Sequence, residues 1–353
     1  MNSKRLAASR DDPIKHRPLC GMVGALMLAL AACGGGEAPG GSVPPAAGPI
    51  SQAQRASAAT ATAQSASNAC APIRPFYWEV GDRGGRLASG SVQSGGGKPV
   101  YTDATPMSVA SASKWIYGAY VVQLRQGRLS DDDIRFLTFR SGYTHFTRCL
   151  PGQTVDGCVN YLQNGLYSAA ADGRFSYGGG HMQKHAALNG LGALDDAGLA
   201  AAMQSQLGTD LNLAYSQPQL AGGVVTTADD YAVFLRKILS GALLMNAALG
   251  SHAVCTNPAV CPAQALNTPV PGSQNYHYSI GHWVEDDPVN GDGAFSSAGA
   301  FGFYPWIDAG KTWYGIVARV DKNNAGDNEP GNGFVSLQCG QLIRQAWIDG
   351  TAR

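Results

Sequence analysis

Six of the eight cysteines lie beyond residue 69, and they are spread along nearly the whole remaining chain: Cys70, Cys149, Cys158, Cys255, Cys261 and Cys339. An even number of cysteines in a chain with an export-type leader implies disulfides and a fold stapled at several points. Cys149 with Cys158 and Cys255 with Cys261 would close short loops containing Pro or Gly. That would leave Cys70 to meet Cys339 and join the two ends of one domain. No C-x-x-C pair occurs, which argues against a structural zinc site or a thioredoxin-type redox motif.

The leader is read from charge and hydropathy. Lys4, Arg5, Arg10, Lys15 and Arg17 precede an uncharged run from Cys20 to Ala32, the length of a signal-peptide core and short for a permanent span. The run ends Leu30-Ala31-Ala32-Cys33, similar to a bacterial lipoprotein lipobox. Residues 1–32 are therefore expected to be a lipoprotein-type signal peptide, with Cys33 lipidated as the first mature residue. Gly34 after it points to the outer membrane; ordinary cleavage near Ala31 or Ala32 is the alternative. This would make the protein an exported periplasmic or outer-membrane lipoprotein of a Gram-negative bacterium, held to the membrane by Cys33. Residues 33–69 are mostly small and polar with few charges and read as a flexible Ala/Gly/Ser/Pro linker, leaving 70–353 as one domain.

Formal net charge is zero and only 14% of residues are charged, so there is no basic stripe to hold a nucleic acid. The glycine clusters lack the strand-to-helix setting of a phosphate-binding loop. Phe76–Asp82 and Gly85–Val92 read as two strands joined by a turn, and Ser130 followed by three aspartates reads as a capped helix start rather than a metal site. Leu199–Leu207 and Asp229–Leu239 have helical spacing. Tyr278–Glu285, Phe301–Ile307 and Thr312–Val320 read as strands, with Asp308–Lys311 as a hairpin turn, and Gly333–Trp347 as a terminal helix. Strands at both ends thus enclose a helical middle.

One short motif carries chemistry. Ser111-Ala112-Ser113-Lys114 puts a hydroxyl and an amine one helical turn apart, on a shared face at a helix start. Lysine can activate serine when it is neutral, which burial favours. No G-x-S-x-G elbow occurs, which argues against a Ser-His-Asp hydrolase of the α/β class. S-x-x-K alone is weak, and a solvated helix face would explain it equally well.

Its context is what changes this. Arg174-Phe175-Ser176-Tyr177-Gly178-Gly179-Gly180, Leu220-Ala221-Gly222-Gly223-Val224-Val225-Thr226-Thr227 and Ser297-Ala298-Gly299-Ala300 come after it in order. Together with Ser111 and Lys114 they resemble the serine β-lactamase and penicillin-binding-protein family, in particular its class C-like esterase branch. The resemblance covers about residues 75–347. It implies an α/β (α+β) fold, an antiparallel sheet flanked by helices with a helical subdomain, and a serine hydrolase without metal or organic cofactor. Ser111 would be the nucleophile, Lys114 and Tyr177 the base pair, and the N–H groups of Ser111 and Ala300 the oxyanion hole. Gly179, Ser297, Gly299 and His282 are expected on the substrate side. The 220–230 segment is given a structural part.

Two departures from the family pattern shape the expected substrate. Gly179 stands where the family carries the asparagine that holds a substrate amide, and Ser297 stands where a cation pairs with a substrate carboxylate. An esterase on small or uncharged acyl substrates is therefore expected first. A β-lactamase, a D-Ala-D-Ala carboxypeptidase, a hydrolase of amide oligomers, and a non-catalytic cell-envelope binding protein of the same fold are the alternatives. His181 and His185, four residues apart, have metal-ligand spacing but no evident third ligand, and are read as packing.

Overall fold

The computed structural model describes residues 48–323 and 331–353; the signal peptide, Cys33 and residues 34–47 lie outside the described residues. The chain enters through α1 (Gln52–Gln64) and the hairpin of β1 (Phe76–Asp82) and β2 (Gly85–Val92), then β3 (Met107–Ser108) leads by a short 3-10 turn into α2 (Ser113–Leu124). The middle holds α3 (Asp131–Leu137), α4 (Val155–Val159), β4 (Phe175–Ser176), α5 (Gly180–Ala186) and α6 (Asp196–Leu207). After β5 (Ala214–Tyr215) and β6 (Val224–Thr226) come α7 (Ala228–Leu239) and α8 (Met245–Ala248). The return runs through β7 (Val254–Cys255), β8 (Ala265–Asn267), β9 (His277–Tyr278), β10 (Trp283–Glu285), β11 (Ala294–Ser296), β12 (Tyr304–Ile307) and β13 (Trp313–Ala318) to α9 (Asn332–Asp349).

Eight strands form one antiparallel sheet in the order β2-β1-β13-β12-β11-β10-β9-β7, so the first hairpin pairs with the last strand. Because β1 lies between β2 and β13, Phe76 through Gly81 are all buried, and the one charge among these six, Glu79, is met by Tyr77, Tyr314 and Arg86 at 2.7–3.0 Å. Val317 faces Gly340 of α9, whereas Tyr314, at opposite strand parity, accepts from Arg236 of α7. Helices therefore cover both faces. α2 is buried along Ser113–Val122, which explains a sequence apolar all round rather than striped. It meets the turn between β9 and β10 backbone to backbone. A Cβ on Gly118 would lie 2.6 Å from Ile280 O, and one on Gly281, at φ +74°, 2.5 Å from Lys114 O.

The expected linker requires correction. Residues 52–64 form α1, started by a capping box of Ser51 and Gln54, and bury Ala58, Ala59, Thr62 and Ala63. Alanine-rich sequence is also a strong helix former, and its small side chains let α1 lie close against α9. Arg55 donates to the α9 carbonyls of Trp347, at 2.7 Å, and Ile348. The folded body accordingly runs from Pro49 rather than residue 70. A second correction concerns Tyr278–Glu285, which is a hairpin, not one strand: Ser279 N donates to His282 O at 2.8 Å across the turn. The apolar run continued through the turn because α2 packs onto it.

All three expected disulfides are present, Cys70–Cys339 closing a separation of 269 residues. Among the described residues, no helix is long and apolar enough to cross a membrane. The long bridge restricts the unfolded chain most, so replacing both Cys70 and Cys339 by serine should lower unfolding free energy by about 3–5 kcal/mol, measured by urea titration of otherwise oxidised protein.

Candidate active site

The turn that carries Ser111 is built by a strand pair. β3 runs antiparallel to β6, and Val109 N then donates to Val224 O at 3.0 Å, fixing the chain just before Ser111. Ala110 takes φ +45°, a left-handed conformation costly for a residue with a side chain, and the next residue is Ser111. Ser113 secures the turn twice, donating to Ala110 O at 2.7 Å and accepting from Val224 N at 3.2 Å. Tyr231 of α7 donates to Ala112 O at 2.9 Å.

Lys114 lies in the first turn of α2 and is 4% exposed. Its Nζ is 2.8 Å from Ser111 Oγ and 2.8 Å from Ala221 O. Burial penalises the ammonium form and lowers its pKa from the usual lysine value to about 7. Near neutral pH a large fraction of Lys114 is thus an amine able to take the Ser111 proton. The 220–226 segment does more than the structural part expected of it, since Ala221 supplies the second acceptor that aims the amine.

Tyr177 arrives from β4, which pairs in parallel with β8; Asn267 Oδ1 accepts from Tyr177 N at 2.8 Å. The ring stacks on Trp283 with centroids 5.4 Å apart and meets Phe139 and Tyr278 edge-on. Lys114 Nζ lies 4.9 Å from the Tyr177 ring centroid. The serine, lysine and tyrosine singled out from sequence are thus brought together by two separate segments, residues 111–114 and the stretch after β4. Trp283, Phe139, Tyr278 and Asn267 carry no sequence signal for this duty, because each is defined by what it touches across the fold.

Ser297 and Gly299 reach the site but not in the expected manner. Ser297 Oγ donates to Ser111 O at 3.0 Å, so its hydroxyl hydrogen is held by the Ser111 backbone rather than turned to a substrate. A Cβ on Gly299 would lie 2.2 Å from Val109 O, so this glycine serves the close approach of β11's extension to the nucleophile turn. Gly299 N donates to Phe303 O and Gly302 N to Gly299 O, each at 2.8 Å, which sets Ala300 in a tight turn. Gly179 caps α5 beside Tyr177.

His282 is not a substrate-side group. It is fully buried, stacked on Trp115 at 5.4 Å, with Ile280 O at 2.9 Å from Nδ1 and Gly250 N donating to Nε2 at 3.1 Å. Burial lowers its pKa to about 4, so it stays neutral and holds the β9–β10 turn. His181 and His185 are packing residues: His181 lies between Ser141 and Ser176 O, and His185 between Tyr117 and Asp133. Among the described residues no group of three or more His, Cys, Asp or Glu side chains could hold a metal.

No family model matches the chain, and no curated protein matches it in sequence. Solved structures do match. The proposed β-lactamase from Bacteroides dorei superposes with a TM-score of 0.55 at 21% identity, over 76% of this chain and 93% of that one. A D-stereospecific amidohydrolase from a Streptomyces species gives 0.54 at 15% identity, over 86% and 100%. A penicillin binding protein from Bacillus halodurans gives 0.54 at 12% identity, over 73% and 96%. With the antiparallel sheet, its flanking helices and the serine-lysine turn at the head of α2, these likenesses establish that the chain has the serine β-lactamase and penicillin-binding-protein fold.

Proposed function

We propose that the protein is a serine acyl hydrolase working through a covalent Ser111 acyl-enzyme. The observation that carries this reading is the buried Lys114 amine, lowered to about 7 and 2.8 Å from Ser111 Oγ. Neutral Lys114, with Tyr177 beside it, takes the hydroxyl proton as Oγ attacks the substrate carbonyl. The resulting oxyanion is held by the N–H groups of Ser111 and Ala300. The proton then passes to the leaving group, the C–O or C–N bond breaks, and water, deprotonated by the same pair, releases the acyl group and restores Ser111.

Esters and uncharged acyl groups fit best. Gly179 offers no side-chain partner to a substrate amide, and Ser297 neither bears a charge nor has a free hydroxyl hydrogen, being spent on Ser111 O. A substrate carboxylate at that position would forgo a charge-assisted hydrogen bond, worth about 1.5–3 kcal/mol. The three disulfides support an oxidising compartment, and with the lipobox-like Cys33 they support an envelope-anchored, exported enzyme.

Ser111→Ala should lower p-nitrophenyl butyrate turnover by at least about 10³-fold. In parallel, a fluorophosphonate should label the unaltered protein at Ser111; failure to label would support an inert binding protein. The pH dependence is set by the lysine. Its amine is protonated below about 7, so kcat/KM should rise with pH through about 7, and a profile flat from acid to alkaline would remove Lys114 as the base. Metabolic labelling with palmitate should mark the full chain and not Cys33→Ser; equal labelling of both would exclude the anchor.

A further inference from the structure

The glycines after Tyr177 are pressed from one side by the segment 143–146. A Cβ on Gly180 would lie 2.6 Å from the carbonyl oxygens of both Tyr143 and His145, so backbone alone excludes any other residue there. At Gly179 the obstacle is of another kind. A Cβ would lie 3.0 Å from Cδ1 and 3.1 Å from Cγ of Phe146. The half-buried Phe146 ring therefore fills the volume into which a side chain of residue 179 would grow, two residues from Tyr177.

The ring sits on a fixed support. Thr147 N donates to Asn164 Oδ1 at 2.7 Å, and Asn164, fully buried, donates in turn to Arg148 O at 2.8 Å and Cys158 O at 2.9 Å. The Cys149–Cys158 bridge closes the same loop. Apolar surface continues outward from it. Tyr143 packs on Tyr167 at 5.4 Å, and Tyr167, Leu166 and Leu162, on the stretch that Asn164 anchors, are 50%, 50% and 65% exposed. A group resting against the Phe146 ring itself meets carbon. An amide there gives up water without replacement, whereas an alkyl chain gains by leaving it.

We propose that Phe146 is a specificity-determining wall of the Ser111 site, and that with the apolar rim beyond it the site selects esters with an extended apolar acyl chain. The proposal rests on the reading of Ser111 as the nucleophile, and its test separates the two. The full chain, Phe146→Ala and Phe146→Gln are compared on p-nitrophenyl acetate, butyrate and octanoate, with fluorophosphonate labelling of Ser111 followed alongside. The unaltered protein should favour octanoate over acetate. Both variants should lose about tenfold of that preference through a higher KM for octanoate, while Ser111 still takes the label. Phe146→Gln keeps the side chain's bulk, so it reads the ratio should the alanine variant fail to fold. An octanoate-to-acetate ratio unmoved in a folded variant overturns the wall and leaves Ser111 the nucleophile. A protein that neither takes the label nor cleaves any of the three esters overturns both.

Discussion

A single lysine amine, withdrawn from water and with no carboxylate paired to it among the described residues, is the constraint around which this structure is arranged. Burying an ammonium is expensive, and the group escapes the cost by giving up its proton. Such a residue is tolerated only where its neutral form is put to use and its remaining hydrogens find acceptors. Ala221 O is such an acceptor and Ser111 Oγ lies at the same distance, 2.8 Å, and the two come from segments more than a hundred residues apart. The pairing of β3 with β6 brings them together, so the short three-stranded sheet is as much a part of the site as the motif itself.

The remaining walls are a consequence of holding that turn still. Val224, Tyr231 and Ser297 each bind one backbone group within residues 109–112, and Gly299 lies close against Val109 O. Tyr177 follows a strand only two residues long and is held by the rings around it and by Asn267. Orientation at the serine is therefore a property of several elements acting on one short stretch, consistent with the strained φ of Ala110 being over-determined by its surroundings.

The sequence disclosed those parts whose signals are local. The first hairpin was legible because strand-forming residues flank an Asp-Arg-Gly turn, and the disulfides because two pairs close short loops. Ser111, Lys114 and Tyr177 were legible from ordered motifs. What escaped depends on contacts between distant segments. α1 has the composition of a tether, and only the matching surface of α9 makes it part of the body. His282 was placed beside a substrate because its run read as one strand, when the fold turns there and buries it. Ser297 and Gly299 were found as residues but not as functions, since nothing in their spacing says that they face Val109 and Ser111 instead of solvent.

The contact of Gly118 with Gly281 carries a broader consequence. Where two backbones touch, no rotamer can absorb an error, and any added atom displaces the helix that presents the serine. Evolution on this scaffold is thereby steered away from its centre. New substrate preferences must come from the surrounding loops, whose side chains can be exchanged singly while the reactive geometry is inherited intact.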